Sequence, residues 1–243
     1  MEEWRYREMY DLEDRHWWFR ARRTVIWALL RRAGVDSAPR LLDAGCGTGR
    51  NLVEFGRLGI AEGIDVSPQA VDFCRSRGLE GVQQGALEEL PFEDGRFDLL
   101  LATDVIEHLD DDRHALLELR RVARPGARLV VTVPAYRWLW SQHDTSLQHR
   151  RRYTAARLRE RATAAGWRAQ VETYFFTALL PGVAAVRSVR RLRPAETPRS
   201  DMTLAPPALG RLLELASAGE AKLIERGARL PAGVSVGMVG IAG

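Results

Sequence analysis

The segment that most limits how this chain can fold is Arg40-Leu41-Leu42-Asp43-Ala44, which runs straight into Gly45-Cys46-Gly47-Thr48-Gly49. An apolar run of strand length followed by three glycines in five positions, and then by a helical pattern from about Arg50 to Leu58, reads as strand, tight turn and helix. Glycine permits the sharp turn and lets the backbone approach a ligand where a Cβ would collide. The alternation then repeats. Ala61–Asp65 reads as a second short strand, and Ser67-Pro68 as a cap with proline in the first helical turn. Val82–Gln84 suits an edge strand. Phe97–Ala102 is continuously apolar, as a strand covered on both faces should be. A helix over about Asp111–Ala123 stops at Arg124-Pro125-Gly126, and Arg128–Val133 is the next strand. Strands alternating with amphipathic runs predict a doubly wound α/β sheet.

Past Pro134 the periodicity breaks. Residues 135–153 carry aromatics, two histidines and three consecutive arginines, and a loop of that length in a compact domain is usually functional or mobile. Thr154–Ala165 then reads as a helix, Trp167–Tyr174 as a strand, Phe175–Arg193 as an apolar run that turns basic, and Val234–Ala242 as the last strand, after a helix ending near Gly227. The expected division is an N-terminal helical cap over 1–39 and one α/β domain over 40–243. Within that domain 134–153 is a substrate-side insertion and 194–207 a flexible linker.

With 46% hydrophobic residues and seven Trp in 243, the chain can build a core, so general disorder is excluded. No apolar run reaches ~18 residues, which argues against a transmembrane helix. The N-terminal residues show no apolar secretory core. Two cysteines, Cys46 and Cys74, are too few for a disulfide framework or a structural zinc site, so a cytoplasmic location is expected. The net charge of +4 hides a strong division: residues 41–135 hold 10 basic and 17 acidic side chains, whereas 136–193 hold 12 and 3. All but one of the 36 positive charges are arginines, Lys222 being the exception.

Asp65 closes the second strand 22 residues beyond Asp43, the separation at which nucleotide-binding α/β folds place an acid on ribose hydroxyls. No Gly-Lys-Ser/Thr follows the loop, which rules out a P-loop, and Arg50 stands where a dinucleotide fingerprint would carry its third glycine. Asp-Ala-Gly-Cys-Gly-Thr-Gly (43–49), Gly-Ile-Asp-Val-Ser (63–67), Leu-Pro-Phe-Glu-Asp-Gly-Arg-Phe-Asp (90–98) and Asp-Val-Ile-Glu-His-Leu (104–109) occur in that order. The series resembles the class I S-adenosylmethionine-dependent methyltransferases over about residues 40–175. The resemblance implies a Rossmann-like, seven-stranded, mostly parallel sheet with an antiparallel last strand. It implies S-adenosylmethionine as cofactor, with Asp43, Gly45, Cys46 and Gly47 around its methionine part. Asp65 would bind the ribose and Val66 would pack on adenine. Many relatives carry an Asp after the glycine matching Gly85; this chain has Ala86, so backbone groups of Ala86 and Leu87 take the adenine contact. Thr103 and Asp104 end the fourth strand, facing the acceptor pocket.

His143, Asp144 and His149 are the candidate proton acceptors, and Trp18, Tyr136, Arg150, Arg151, Arg152 and Tyr153 the candidate acceptor-binding residues. The guanidinium forks suit a carboxylate or phosphate. Asp104, Glu107 and His108 share a helix face and could hold a divalent ion, as a similar set does in some ubiquinone-pathway and RNA-end methyltransferases. The same Glu-His-Leu is common in metal-free relatives, where it serves capping and packing, and no metal is expected. Cys46, at a helix N-terminus, reads as a small filler and not as a reactive thiol.

The run at 175–193 could rest on an anionic membrane through Arg187, Arg190, Arg191 and Arg193, or be an ordinary basic helix face. The expected activity is methyl transfer to an oxygen or nitrogen of a small acidic or amphipathic acceptor by a monomer or homodimer, without nucleic acid. The alternatives are an RNA or protein methyltransferase and a non-catalytic S-adenosylmethionine-binding regulatory protein.

Overall fold

The computed structural model describes residues 3–192 and 206–243. Seven strands form one sheet in the order β3-β2-β1-β4-β5-β7-β6. They are β1 (Arg40–Ala44), β2 (Ile60–Asp65), β3 (Val82–Gln84), β4 (Phe97–Thr103), β5 (Ala123–Pro134), β6 (Trp167–Phe175) and β7 (Ser235–Ala242). The strands β1 to β5 pair in parallel, and β7 is antiparallel to both β5 and β6. The predicted architecture is the observed one. It follows from patterning: Phe97, Leu99, Leu100, Leu101 and Ala102 of β4 are all fully buried, because helices cover both faces of a central parallel strand.

The covering helices are α2 (Trp17–Arg32), α3 (Arg50–Phe55), α4 (Pro68–Ser76), α5 (Asp112–Val122), α7 (Ala155–Ala164) and α9 (Pro207–Glu225). On one face Leu42, Leu100 and Leu129 meet Leu116, Leu119 and Trp167. On the other, Leu41, Leu99 and Leu101 meet Val25, Ile26 and Leu29 of α2 and Ile224 of α9. The two helices of the segment 1–39, expected as an N-terminal helical cap, differ in their packing. The apolar stripe of α2 is part of the core, and only α1 (Glu3–Leu12) lies outside the sheet layers.

Residues 135–153 are more ordered than their lack of period suggests. They contain a single 3-10 turn at Arg137–Leu139, the short helix α6 (Gln142–Ser146) and a bridge between Ala135 and Tyr153. The basic run at 175–193 forms α8 (Leu180–Leu192). Of the linker expected at 194–207, all but Pro206 and Pro207 lies outside the described residues, as do Arg193 and the side chains of Arg190 and Arg191. Among the described residues no helix is long and apolar enough to cross a membrane.

Leu100 lies at the centre of this packing with no exposed surface. Leu100→Ala should cost about 2–5 kcal/mol. The measurement is urea unfolding, where the midpoint should fall with an unchanged slope; an unmoved midpoint would contradict this account of the core.

Candidate active site

In a parallel sheet, ligands bind beyond the carboxyl ends of the strands. Among the described residues four non-glycine residues have positive φ, and three of them fall just past such ends: Asp104 (φ 54°) after β4, Tyr136 (54°) after β5 and Phe176 (59°) after β6. Left-handed backbone at bulky residues is strained and concentrates where a fold presents its working groups.

The glycine loop begins where β1 ends. Gly45 (φ 77°) and Gly47 (φ 54°) turn the backbone in the left-handed region. A Cβ on Gly45 would lie 2.4 Å from Val105 Cγ2, and one on Gly47 would lie 2.8 Å from Met9 Cε. At the base of the loop Asp43 is fully buried, and neither of its carboxylate oxygens has a hydrogen-bond partner. Burial pushes its pKa up to about 7, while nearby Arg22 pulls the other way. An orphaned acid beneath a glycine cradle fits a ligand that brings donors or positive charge, as the ammonium and sulfonium of S-adenosylmethionine would.

Asp65, at the end of β2, accepts hydrogen bonds from Gly47 N (2.9 Å), Ser67 N (3.0 Å) and the Tyr6 hydroxyl (3.3 Å). Burial nevertheless raises its pKa. Tyr6 belongs to α1, which lies across the loop: Tyr10 stacks on Phe73, and just beyond the helix Glu13 accepts from Thr48 Oγ1 and pairs with Arg77 (2.6 Å). The acidity and spacing of Asp65 were readable in sequence; its occupation by Tyr6 was not.

The remaining cofactor candidates are placed around the same edge. Val66 is 65% exposed beside Asp65, free to receive a flat ring, and Ala86 is half-buried. The Leu87 side chain is in the core, leaving only its backbone for a ligand. Thr103 Oγ1 accepts from Asn51 Nδ2 (3.0 Å). Cys46 is buried, its Sγ 3.9 Å from Cys74 Sγ.

The groups predicted in the insertion differ in what they touch. Asp144, expected as a proton acceptor, is fully buried. Its Oδ1 accepts from Arg152 Nε (2.7 Å) and its Oδ2 from Arg152 Nη2 (3.0 Å), Ser141 N (2.8 Å) and Ser141 Oγ (3.2 Å). Burial alone would raise its pKa, but the hydrogen bonds from His149 and Arg152 win and hold it well below the usual carboxylate range. It therefore cannot take a proton near neutral pH.

The arginines and Tyr153, expected to bind the acceptor, have partners within the fold. Arg152 is buried against Asp144 and the Ala135 carbonyl. Arg151 pairs with Asp112 (3.1 Å) and donates to the Leu109 and Asp110 carbonyls. Arg150 pairs with Asp110 (2.9 Å) and donates to the His108 carbonyl. Tyr153 is buried, with its hydroxyl donating to Asp112 Oδ2 (2.7 Å). These charges close the insertion onto the segment after β4. A run of arginines does not announce in sequence that each has a local acceptor.

His149 lies beside Glu107 and His108. Its Nδ1 is 2.9 Å from Asp144 Oδ1, and its ring meets that of His108 edge to face at 4.7 Å. His143 sits in α6, where its carbonyl accepts from Leu147 N and Ser146 Oγ. His108 is driven down to about 3 by burial and by His149, and it hydrogen-bonds the backbone of Leu147 and Gln148, so its imidazole is neutral. Glu107 is fully buried, its pKa raised by burial and then by Asp104. Asp104 itself pairs with Arg22 and accepts from Thr132 Oγ1 (3.2 Å). Arg22 is a cation set among Asp43, Asp104 and Glu107. Trp18 packs on Phe176 (4.4 Å), and Tyr136 stacks on Tyr174 (5.1 Å), giving aromatic walls next to the strained turns.

The sheet order and the ligand-ready loop together define a Rossmann-like fold of the methyltransferase type. Residues 42–131 match a family model described as a methyltransferase domain. The chain is 34% identical over 116 residues to the O-methyltransferase cnsE of Penicillium expansum, covering 42% of each protein. It is 38% identical over 106 residues to norajmaline N-methyltransferase of Rauvolfia serpentina, covering 40% of this chain and 36% of that one. The chain thus spans less than half the length of either relative. Among solved structures it is similar to a SAM-dependent methyltransferase from Thermotoga maritima, with a TM-score of 0.59 at 21% identity over 93% of both chains. Residues 42–131 are thus similar to methyltransferase domains, and the chain shares the Rossmann-like methyltransferase fold.

Two measurements test the electrostatics. Asp43 has a folded-state pKa above its unfolded value, so its stability contribution is complete below pH 3.8 and is lost as pH rises through about 7. In ligand-free protein, Asp43→Asn should match the parent near pH 4 and exceed it at pH 8 by on the order of 1–4 kcal/mol; parallel stability–pH curves would refute this. Asp144→Asn leaves the buried Arg152 uncompensated and should cost about 3–5 kcal/mol in chemical unfolding. A loss under ~1 kcal/mol would show that the pair does not hold the insertion.

Proposed function

We propose that the chain transfers the methyl group of S-adenosylmethionine to an oxygen or nitrogen atom of a small molecule. The observation that carries this reading is the orphaned, buried Asp43 under the Gly45–Gly49 loop, with Asp65 at the neighbouring strand end. The bound cofactor supplies an electrophilic methyl group at its sulfonium. What the protein must add is placement, exclusion of water and a route for the acceptor's proton.

In this reading the backbone of Gly45, Cys46 and Gly47 holds the methionine part, Asp43 answers its positive charge, and Asp65 takes the ribose hydroxyls. Val66 and the backbone of Ala86 and Leu87 hold adenine. The helix α1 covers the site, and the Tyr6 hydroxyl gives up Asp65 to the ribose. The acceptor enters between Thr103–Asp104 and the aromatic groups Trp18 and Tyr136. Its proton leaves through the Glu107–His108–His149 cluster, where Asp144 orients His149. Because Arg150, Arg151 and Arg152 are bound internally, the acceptor need not be acidic. An oxygen or nitrogen acceptor agrees with the names of the two curated relatives, one an O- and one an N-methyltransferase.

Calorimetry with S-adenosylmethionine and S-adenosylhomocysteine tests the foundation. Both should bind one per chain, and Asp65→Ala should raise the dissociation constant at least about tenfold, or ~1.4 kcal/mol. Absence of heat from folded protein would end the proposal. Product mass analysis on a panel of hydroxylated and amine acceptors then identifies the methylated atom.

A further inference from the structure

A second buried acid is as unpartnered as Asp43. Glu107 has no exposed surface, and neither carboxylate oxygen has a hydrogen-bond partner on another residue. Removing a carboxylate from water with no compensating donor is costly, so such a group in a native fold needs a reason. The side chains around it supply one. Glu107, His108 and His149 each offer one ligand atom, and these atoms lie within 4.8 Å of one another. Both imidazoles are already oriented from behind. His149 has its Nδ1 on Asp144 Oδ1 at 2.9 Å, leaving Nε2 for the cluster. His108 hydrogen-bonds the backbone of Leu147 and Gln148 through its ring. Outer-shell contacts of this kind fix the tautomer and aim of metal-binding histidines.

We infer that Glu107, His108 and His149 form a binding site for a divalent transition-metal ion. Two imidazoles and one carboxylate suit Zn²⁺, Fe²⁺ or Mn²⁺ and are a poor match for Mg²⁺ or Ca²⁺, which favour oxygen donors. Metal–ligand distances of about 2.1 Å need donor atoms roughly 3–3.5 Å apart, so small side-chain rotations complete the site. Three protein ligands leave coordination positions open. Asp104, whose charge is felt by Glu107, is held aside by Arg22 and Thr132. The sequence showed Glu107 and His108 one helical step apart but not His149, which arrives from 41 residues further on through the fold of the insertion. If the methyl-transfer reading holds, an open position beside Asp104 would take an acceptor oxygen and lower its pKa, with His149 then a ligand and not the base.

The full chain, treated with a chelator and dialysed, is titrated with Co²⁺ and then with competing Zn²⁺. Metal binding is read without S-adenosylmethionine, so its failure is separate from failure of the methyltransferase reading, which rests on cofactor calorimetry. One Co²⁺ per chain should give the visible d–d absorption of a nitrogen- and oxygen-ligated ion, displaced by Zn²⁺. Glu107→Gln and His149→Gln should each weaken binding at least about tenfold, while His114→Ala, on the exposed face of α5, should not. Circular dichroism establishes that each variant is folded; His149 is only partly buried and provides the second variant if Glu107→Gln fails to fold. No stoichiometric uptake by the folded parent, or equal affinity in the parent and both glutamine variants, overturns the site.

Discussion

A parallel sheet covered by helices on both faces has one place left for chemistry: the edge where its strands end. That constraint organises this molecule. The strands β1 and β4 are committed along most of their length to packing, with Leu41, Leu42, Leu99, Leu100 and Leu101 fully buried. Only at their carboxyl ends can a polar side chain leave the layer. Asp43, Asp65 and Asp104 stand there in three adjoining strands. Bringing three acids together in a largely desolvated edge is unfavourable. Two of them have answers within the fold, Asp65 in backbone amides and Asp104 in Arg22. Asp43 has no hydrogen-bond partner, and burial raises its pKa.

The insertion after β5 meets the same constraint from the other side. It must cross an apolar edge while carrying a charge-rich sequence. Asp144 solves this by accepting from Arg152, the Ser141 cap and His149 at once. A carboxylate with so many donors is a fixed point around which a segment of little regular structure can be held. Its hold on His149 connects this structural centre to the site: the same oxygen that pairs with Arg152 sets the imidazole beside Glu107 and His108.

The legibility of the sequence follows this division. The central strands β1 and β4 were readable because burial on both faces leaves continuous apolar runs, and the glycine loop because glycine tolerates its φ values. Asp65 was readable because two strand ends set its spacing from Asp43. Local pattern carries no record of pairings that span the chain, such as Tyr6 with Asp65, Arg22 with Asp104, or Tyr153 with Asp112. The role of α2 was hidden for a related reason. Its Trp- and Arg-rich start looks like a surface cap, while Val25, Ile26, Leu29 and Leu30 show the burial that joins it to the sheet.

The arginine content takes on a different meaning in the same light. A stretch with 12 basic and 3 acidic residues invites a search for an anionic partner. Yet Arg151 is tied to Asp112, Arg152 to Asp144 and Arg159 to Glu172, so much of that charge is answered by acids inside the fold. Arginine suits this use, since its planar fork can hold a carboxylate and a carbonyl together, as Arg152 does with Asp144 and Ala135. The charge asymmetry along the chain is then chiefly a way of fastening a basic insertion onto the segments that end in acids. Among the described residues, the buried acids with neither carboxylate oxygen hydrogen-bonded are Asp43 and Glu107, so it is these two, and not the arginines, that the fold leaves unanswered.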